Sequence, residues 1–370
     1  MHPELERFDP SVAIARASTP PASWYLDPSF LELELGTVFR RTWQGVGPVG
    51  RLANPGDYGA GEIGGEPFVV VRGADHRLRA FFNVCRHHAS CLVEGEGNVE
   101  RLVCPYHGWT YDLDGRLRKA PRLGGVEDFD RDAFGLVPME AGVWGPLAFV
   151  RLAAGGEALA DALRPLDGRL AVAGLRFVAR RTYDIGCNWK VFVDNYLDGG
   201  YHVGHLHGGL ASQLDLASYR TEIEGRVSLQ LCAAGEARPA DADAAAPGSA
   251  ATDFGARIGA GAVYAFVYPN LMLNRYGPIL DTNWVVPLGP ERTRTVFDYY
   301  FEEPAASDPA FVERSLTASD RVQQEDVSIC ESVQRGLRSS AYDVGRYAPT
   351  VEQAAHHFHR LLAADLARGA

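Results

Sequence analysis

The sequence predicts an α+β protein in two parts, a small all-β domain followed by a larger domain whose antiparallel sheet is flanked by helices. Three observations carry this. From Gly45 to about Val150 the chain runs in short apolar stretches punctuated by Gly and Pro, an all-β texture. Past Arg151 helical periodicity enters, with Trp189, Phe192, Val193 and Tyr196 recurring at helical spacing. Residues 262–268, 271–274, 283–287 and 293–301 then alternate or run apolar with turns between, which suits antiparallel strands. The expected division is 1–40, a segment packing with the larger domain; 41–150, the small β domain; and 151–370, the larger domain.

Composition narrows the function classes. A chain of 370 residues has room for two domains, and 46% apolar with 22% charged residues describes an ordinary globular protein. The net charge of -11 supplies no basic stripe for phosphates, so nucleic acid is not an expected partner. No run approaches the roughly 18 apolar residues of a membrane span, and the charged start MHPELERFDPSVA lacks a signal-peptide core, so no membrane partner is expected either. Six cysteines without disulfide spacing fit a reducing cytoplasm.

In chain order, residues 1–21 read as a polar, Pro-containing arm. Residues 24–43 carry Phe30, Leu33, Val38 and Phe39, as in a short helix leading into a strand. Strands are expected over 68–72, 78–84 and 102–103, and Asp114-Gly115 marks a hairpin. Between these strands lie Cys85-x-His87 and Cys104-x-x-His107, each pair at a loop tip. Each offers one thiolate and one imidazole, as in a Rieske [2Fe-2S] centre, which places two sulfurs on one iron and two nitrogens on the other. The competing reading is a structural zinc site, which also takes two Cys and two His, although zinc fingers pair like with like. His88 and Cys91 are spare by this count.

A linker or short helix over 163–172 and a strand over 177–185 precede CNWKVFVDNYLDGGYHVGHLHGGL. Asp194, Asp198 and His202 follow at four-residue steps, which would place them in a row along a helix. His207 lies five beyond His202, about 140° out of line at roughly 3.6 residues per turn, so one straight helix would not aim both rings at one metal. Glycines 199, 200 and 204 permit the irregular backbone that could. Residues 232–256, rich in Ala, Gly, Pro and Asp, read as a loop.

The last long helix, expected over 309–337, has an apolar stripe through Val312, Leu316, Val322, Cys330, Val333 and Leu337. Asp326 falls on that stripe, and a buried carboxylate is costly unless paired, protonated or metal-bound. Two His and one carboxylate form the facial triad of mononuclear non-heme iron(II), with positions left for O2 and substrate. His202, His207 and Asp326 supply one, from helical segments expected on either side of the sheet. His356, His357 and His359 sit on an amphipathic helix and read as surface or packing residues.

With these residues in place the chain resembles the catalytic α subunit of the Rieske non-heme iron oxygenases over nearly its whole length. CRHHAS and CPYHGW are similar to the family's cluster loops, NWKVFVDNYLDGGYHVGHLH to its mononuclear-iron helix and QQEDVSICESVQRGL to its third-ligand helix. CRHHAS, DNYLDGGYHV and ESVQRGL followed by GRY look most similar to the choline monooxygenase-like, quaternary-amine branch. The resemblance implies a helix-grip-like catalytic domain, a Rieske cluster on Cys85, His87, Cys104 and His107, and Fe(II) on His202, His207 and Asp326. It implies a head-to-tail homotrimer in which an acid bridges His107 of one subunit to His202 of the next. Many members place that acid three residues before the first iron histidine, where this chain has Gly199; Asp198 is the favoured bridge and Asp194 the reserve.

The activity implied is O2-dependent hydroxylation of a small molecule. Substrate could be a quaternary amine, oxidised or N-demethylated; alternatives are an aromatic or other small carbon skeleton, or an electron-transfer Rieske protein without catalysis. Candidate pocket residues are His205, Tyr264, Phe266, Tyr276 and Trp284, with Tyr268 and Tyr299 on the same strands. There is no GxGxxG fingerprint after a strand and no second four-cysteine set. Electrons from NAD(P)H are therefore expected only indirectly, through a separate reductase or ferredoxin.

Overall fold

The computed structural model describes residues 2–235 and 258–369, so the loop expected over 232–256 lies outside the described residues from 236 onward. The chain divides into two compact units, Phe39–Ala160 and a second made of Met1–Val38 with Asp161–Ala370.

The smaller unit contains β1 (Gln44–Pro48), β2 (Asp57–Ile63), β3 (Glu66–Arg72), β4 (Leu78–Phe82), β5 (Glu96–Asn98), β6 (Leu102–Val103), β7 (Thr110–Tyr111), β8 (Leu117–Lys119), β9 (Pro138–Trp144) and β10 (Leu147–Arg151). Seven form an antiparallel sheet in the order β1-β10-β9-β4-β3-β2-β5, and β6-β7-β8 form a second, smaller one. The buried run Phe68–Val71 makes β3 a central strand, whereas β5 at the edge is exposed throughout. A core of Val69, Val71, Phe81, Leu102, Trp109, Tyr111 and Leu117 encloses Cys85 and Cys104.

In the larger unit, β11 (Arg176–Ile185), β12 (Arg220–Glu224), β13 (Val227–Ala233), β14 (Gly261–Val267), β15 (Leu271–Tyr276), β16 (Ile279–Gly289) and β17 (Arg292–Phe301) form an antiparallel sheet. Its order is β11-β17-β16-β15-β14-β13-β12, a meander with β11 added beside the last strand. Three helices, Trp189–Tyr196, Pro309–Leu337 and Gln353–Gly369, cover one sheet face. Phe358 packs its ring against both Trp189 and Phe266, and Ser319 hydrogen-bonds Tyr299 Oη at 2.8 Å.

The segment expected over 24–43 as a short helix leading into a strand instead holds two helices, Ser23–Leu26 and Pro28–Glu34, because Asp27 caps the second and Pro28 starts it; a π-helical turn Leu35–Phe39 follows, and the strand begins only at Gln44. Glu34 is fully buried and accepts from Lys190 Nζ and Trp189 Nε1, both at 2.7 Å, tying this helix to Trp189–Tyr196. The long helix matches its expected span, but its buried stripe is more polar than expected. Val333 is 44% exposed, while Ser319, Gln323 and Gln334 are buried, because that face meets polar groups of the sheet and of the loop before Trp189. No helix among the described residues is long and apolar enough to cross a membrane.

Candidate metal centres

Cys85 and His87 lie in the β4–β5 loop and Cys104 and His107 in the β6–β7 loop. Both loops close by the same two backbone hydrogen bonds. Cys85 N–H donates to Ser90 O at 2.9 Å and Ala89 N–H to Cys85 O at 3.0 Å; Cys104 N–H donates to Trp109 O at 2.7 Å and Gly108 N–H to Cys104 O at 3.0 Å. The fourth residue after each cysteine is left-handed, Ala89 at φ 59° and Gly108 at φ 70°, so the chain turns back at the same point in each loop.

The ligand types are sorted by this geometry. The Cys85 and Cys104 thiols are buried in the same core, and the His87 and His107 rings are 4.7 Å apart. Burial raises the Cys104 thiol, but the N–H groups of Tyr106 and His107, with Cys85 and Ser90, outweigh it, and its pKa falls below the ordinary value. Desolvation lowers the His87 pKa, favouring the neutral ring a metal needs, and its buried Nδ1 has no hydrogen-bond partner among the described residues. Tyr111 Oη accepts from Arg86 N–H at 3.0 Å and lies 3.5 Å from Cys85 Sγ, so its proton is available to the sulfur. One tetrahedral zinc would draw all four ligand atoms to a point; among the described residues such convergence occurs only at His202, His207 and Asp326. Two thiols beside two imidazoles fit a two-iron cluster.

The second centre depends on a broken helix. Asn188 caps Trp189–Tyr196, accepting from Lys190 N–H, and the helix ends at Leu197. Gly199 and Gly200 follow at φ 71° and 73°. His202 then begins the short helix Val203–Leu206 and His207 ends it. The expected helical row of Asp194, Asp198 and His202 therefore does not exist. Asp194 is still on the helix, where its carboxylate accepts from Tyr25 Oη at 2.7 Å and meets His359 Nε2 at 3.0 Å, which removes it as the reserve partner of His202. Asp198 instead accepts from the backbone N–H of Tyr201 and His202, and from His202 Nδ1 at 2.7 Å. Gly199 cannot carry an acid: a Cβ there would lie 2.1 Å from Val351 O, on a left-handed backbone. The carboxylate one residue earlier takes the contact.

His202, His207 and Asp326 converge with their ligand atoms within 4.8 Å of one another. Asp326 Oδ1 lies 3.1 Å from His207 Nε2 and 3.9 Å from His202 Nε2, and accepts from Asn195 Nδ2 at 2.8 Å. Both Nδ1 atoms are engaged by carboxylates, Asp198 on His202 and Glu325 on His207 at 2.6 Å, so both Nε2 atoms are left for a metal. Burial opposes protonation of His207, but Asp326 and Glu325 outweigh it and raise its pKa, as expected of a site that attracts a cation. The ligand-bearing segments share one face of the sheet rather than opposite sides, since three atoms this close cannot flank it.

A cavity of about 140 Å³, on the scale of one benzene-sized molecule, opens on these three residues. Phe192, Tyr196, Tyr219, Tyr264, Tyr276 and Phe297 give it aromatic walls; Asn274, Asp281 and Asn283 are polar on its sheet side. Asp281 accepts from Asn274 Nδ2 and from Tyr276 Oη. Burial raises the Tyr196 and Tyr219 phenols well above their ordinary value and keeps them neutral.

Of the expected pocket residues, Tyr264 and Tyr276 line this cavity and His205, Phe266 and Trp284 do not. Trp284 alternates with the lining residues Asp281 and Asn283 and so faces the other side of the sheet. Phe266 shares the Tyr264 face but packs on Phe358, and His205 is exposed, lining an outer hollow with Tyr201 and Val351. Sequence reasoning missed Asn195, Glu325, Tyr219 and Phe192. Asn195 lies three residues after Phe192, the spacing of one helix face, which was the available signal.

Comparison with known proteins gives two domain matches. Residues 42–130 match the Rieske [2Fe-2S] domain, and residues 172–367 match the ring hydroxylating alpha subunit (catalytic domain). The chloroplastic choline monooxygenase of Arabidopsis thaliana is 48% identical over 97% of this chain and 85% of its own length. The carnitine monooxygenase oxygenase subunit of Escherichia coli strain K12 is 34% identical over 94% and 93%. A solved quaternary ammonium Rieske monooxygenase in complex with L-carnitine superposes with a TM-score of 0.80, at 28% identity over 95% of this chain and 97% of that one.

Proposed function

This chain belongs to the ring-hydroxylating α subunits of the Rieske oxygenases, and on that premise we propose that it oxidises a small quaternary amine. The observation carrying the substrate class is the cavity, whose phenol and phenyl walls open on His202, His207 and Asp326. Aromatic faces attract a permanently charged, weakly hydrated cation by about 0.5–2 kcal/mol each. Relatives acting on choline and carnitine support the same class.

Cys85 and Cys104 would hold one iron of the cluster and His87 and His107 the other, with His202, His207 and Asp326 holding the mononuclear iron. When bound, the cluster supplies single electrons and the mononuclear iron activates O2 for insertion into a substrate C–H bond. The family draws its electrons from a separate reductase or ferredoxin, so NAD(P)H acts only through that partner.

The chain's own residues do the positioning. Asp198 fixes His202 through Nδ1, and Asn195 fixes Asp326 through Oδ1. Phe192 and Phe297 exclude water, while neutral Tyr196 and Tyr219 present π faces to a cationic group without binding its charge. A head-to-tail homotrimer completes the proposal, with Asp198 bridging His202 to His107 of the partner subunit. Six free cysteines suit a cytoplasmic, reducing setting.

The test supplies the iron-loaded protein with a surrogate reductase and NADH and follows O2 uptake and product. Coupled turnover is expected with choline, carnitine or a related trimethylammonium compound. Product from aromatic hydrocarbons alone would overturn the substrate class.

A further inference from the structure

We infer that Glu325 is a positioning residue for the mononuclear iron, acting through His207. Glu325 and Asp326 are consecutive on the Pro309–Leu337 helix, yet they meet opposite nitrogens of one imidazole. Glu325 Oε2 is 2.6 Å from Nδ1 and Asp326 Oδ1 is 3.1 Å from Nε2. His207 is 2% exposed, so bulk water does not compete for its ring nitrogens. A carboxylate oxygen accepts hydrogen bonds, so Glu325 holds a proton on Nδ1, and Nε2, the nitrogen that meets Asp326, would be the one to turn its lone pair to a bound metal. The same helix thus supplies one ligand directly and fixes the tautomer of a second.

The two histidines are served in different ways. Asp198 is itself pinned by the backbone N–H groups of Tyr201 and His202, and it belongs to the same turn as the ring it holds. Glu325 reaches His207 across 118 residues of sequence, from a different element. A shift of the long helix would therefore disturb both Asp326 and the ring of His207, whereas His202 would keep its own local support. Hydrogen bonds of this kind on metal-bound histidines are typically worth 10–100-fold in metal affinity.

The inference rests on His207 being an iron ligand and is independent of the substrate. Fe(II) affinity is measured anaerobically by competition with a chelator in the parent, E325Q and E325A proteins, with cluster absorbance and thermal midpoint recorded alongside. E325A is expected to bind Fe(II) roughly 10–100-fold more weakly. E325Q, whose amide oxygen still accepts from Nδ1–H, should retain more affinity than E325A, with cluster absorbance and midpoint at parent values in both. Parent-like affinity in E325A would overturn the role of Glu325, as would a loss of affinity that tracks a fall in thermal midpoint in both variants. A parent protein that binds no Fe(II) at this site would overturn the ligand set itself.

Discussion

The two metal-binding regions solve the same problem, holding Cys, His or Asp at fixed positions, by opposite means. The cluster loops are local and self-supporting: the four proposed ligands fall between Cys85 and His107, and each loop is closed by its own backbone hydrogen bonds. The iron site is assembled from distant pieces. Its two histidines flank a one-turn helix beyond a glycine break, its carboxylate comes 119 residues after His207, and side chains rather than backbone hold the rings. A ligand set fixed by backbone should tolerate change in its neighbours, whereas one fixed by side chains should fail through them.

The largest expected effect separates the two regions outright. Asp326→Ala removes the carboxylate on which both Nε2 atoms and the Asn195 amide converge. Iron affinity at that site should fall by more than the roughly 10–100-fold cost of losing an outer partner, and O2-dependent turnover should drop to background. Cluster absorbance should be unchanged, because the backbone hydrogen bonds that close the two loops are made within the loops themselves. A simultaneous loss of cluster absorbance would break the contrast.

The same contrast explains what could be read from the sequence. Cys-x-His and Cys-x-x-His lie close together, so their chemistry was legible, and so were the strands around them, from Gly and Pro punctuation alone. The residues proposed to hold the iron could be picked out by type, and the structure brings them together, but the side chains that support them could not. Asp194 and Asp198 stand at the same four-residue spacing, and only the stop at Leu197 and the left-handed Gly199 separate them, sending Asp194 to Tyr25 and His359 and Asp198 to His202. Val333 and Gln334 differ by one position in a helix pattern. The buried one is the glutamine, because it accepts from Asn188 N–H at the start of another helix. Trp284 was an attractive aromatic in a strand, and one residue of parity put it on the wrong face. Periodicity gives faces; it does not say which polar group waits across the gap.

A middle-sized effect tests whether Asp198 serves the iron histidine alone or both centres. Asp198→Asn keeps the shape but weakens acceptance from His202 Nδ1 and from the backbone of Tyr201 and His202. Turnover with reductase and substrate should fall roughly 10–100-fold, with the cluster still reduced by its donor and iron content near the parent's. Rapid reduction of the cluster followed by slow single-turnover product formation would identify the step between centres as the one lost. Unchanged turnover would remove Asp198 from the bridge and leave it a turn-forming residue.

The smallest effect tests the self-sufficiency of the cluster loops. Tyr111 approaches a cluster thiol from outside both loops, with Oη 3.5 Å from Cys85 Sγ. Burial, then the neighbouring Cys85 sulfur, raises its phenol pKa, so it remains a donor. A hydrogen bond to sulfur favours the reduced, more negative cluster, so its removal lowers the reduction potential. Tyr111→Phe removes about 1 kcal/mol of such stabilisation, roughly 45 mV for a one-electron couple at about 59 mV per tenfold. The cluster should stay bound, because the backbone hydrogen bonds that close both loops are untouched. A potential near the parent's would mean that the phenol bonds only Arg86 N–H, and loss of the cluster would mean that these loops need side-chain support as the iron site does.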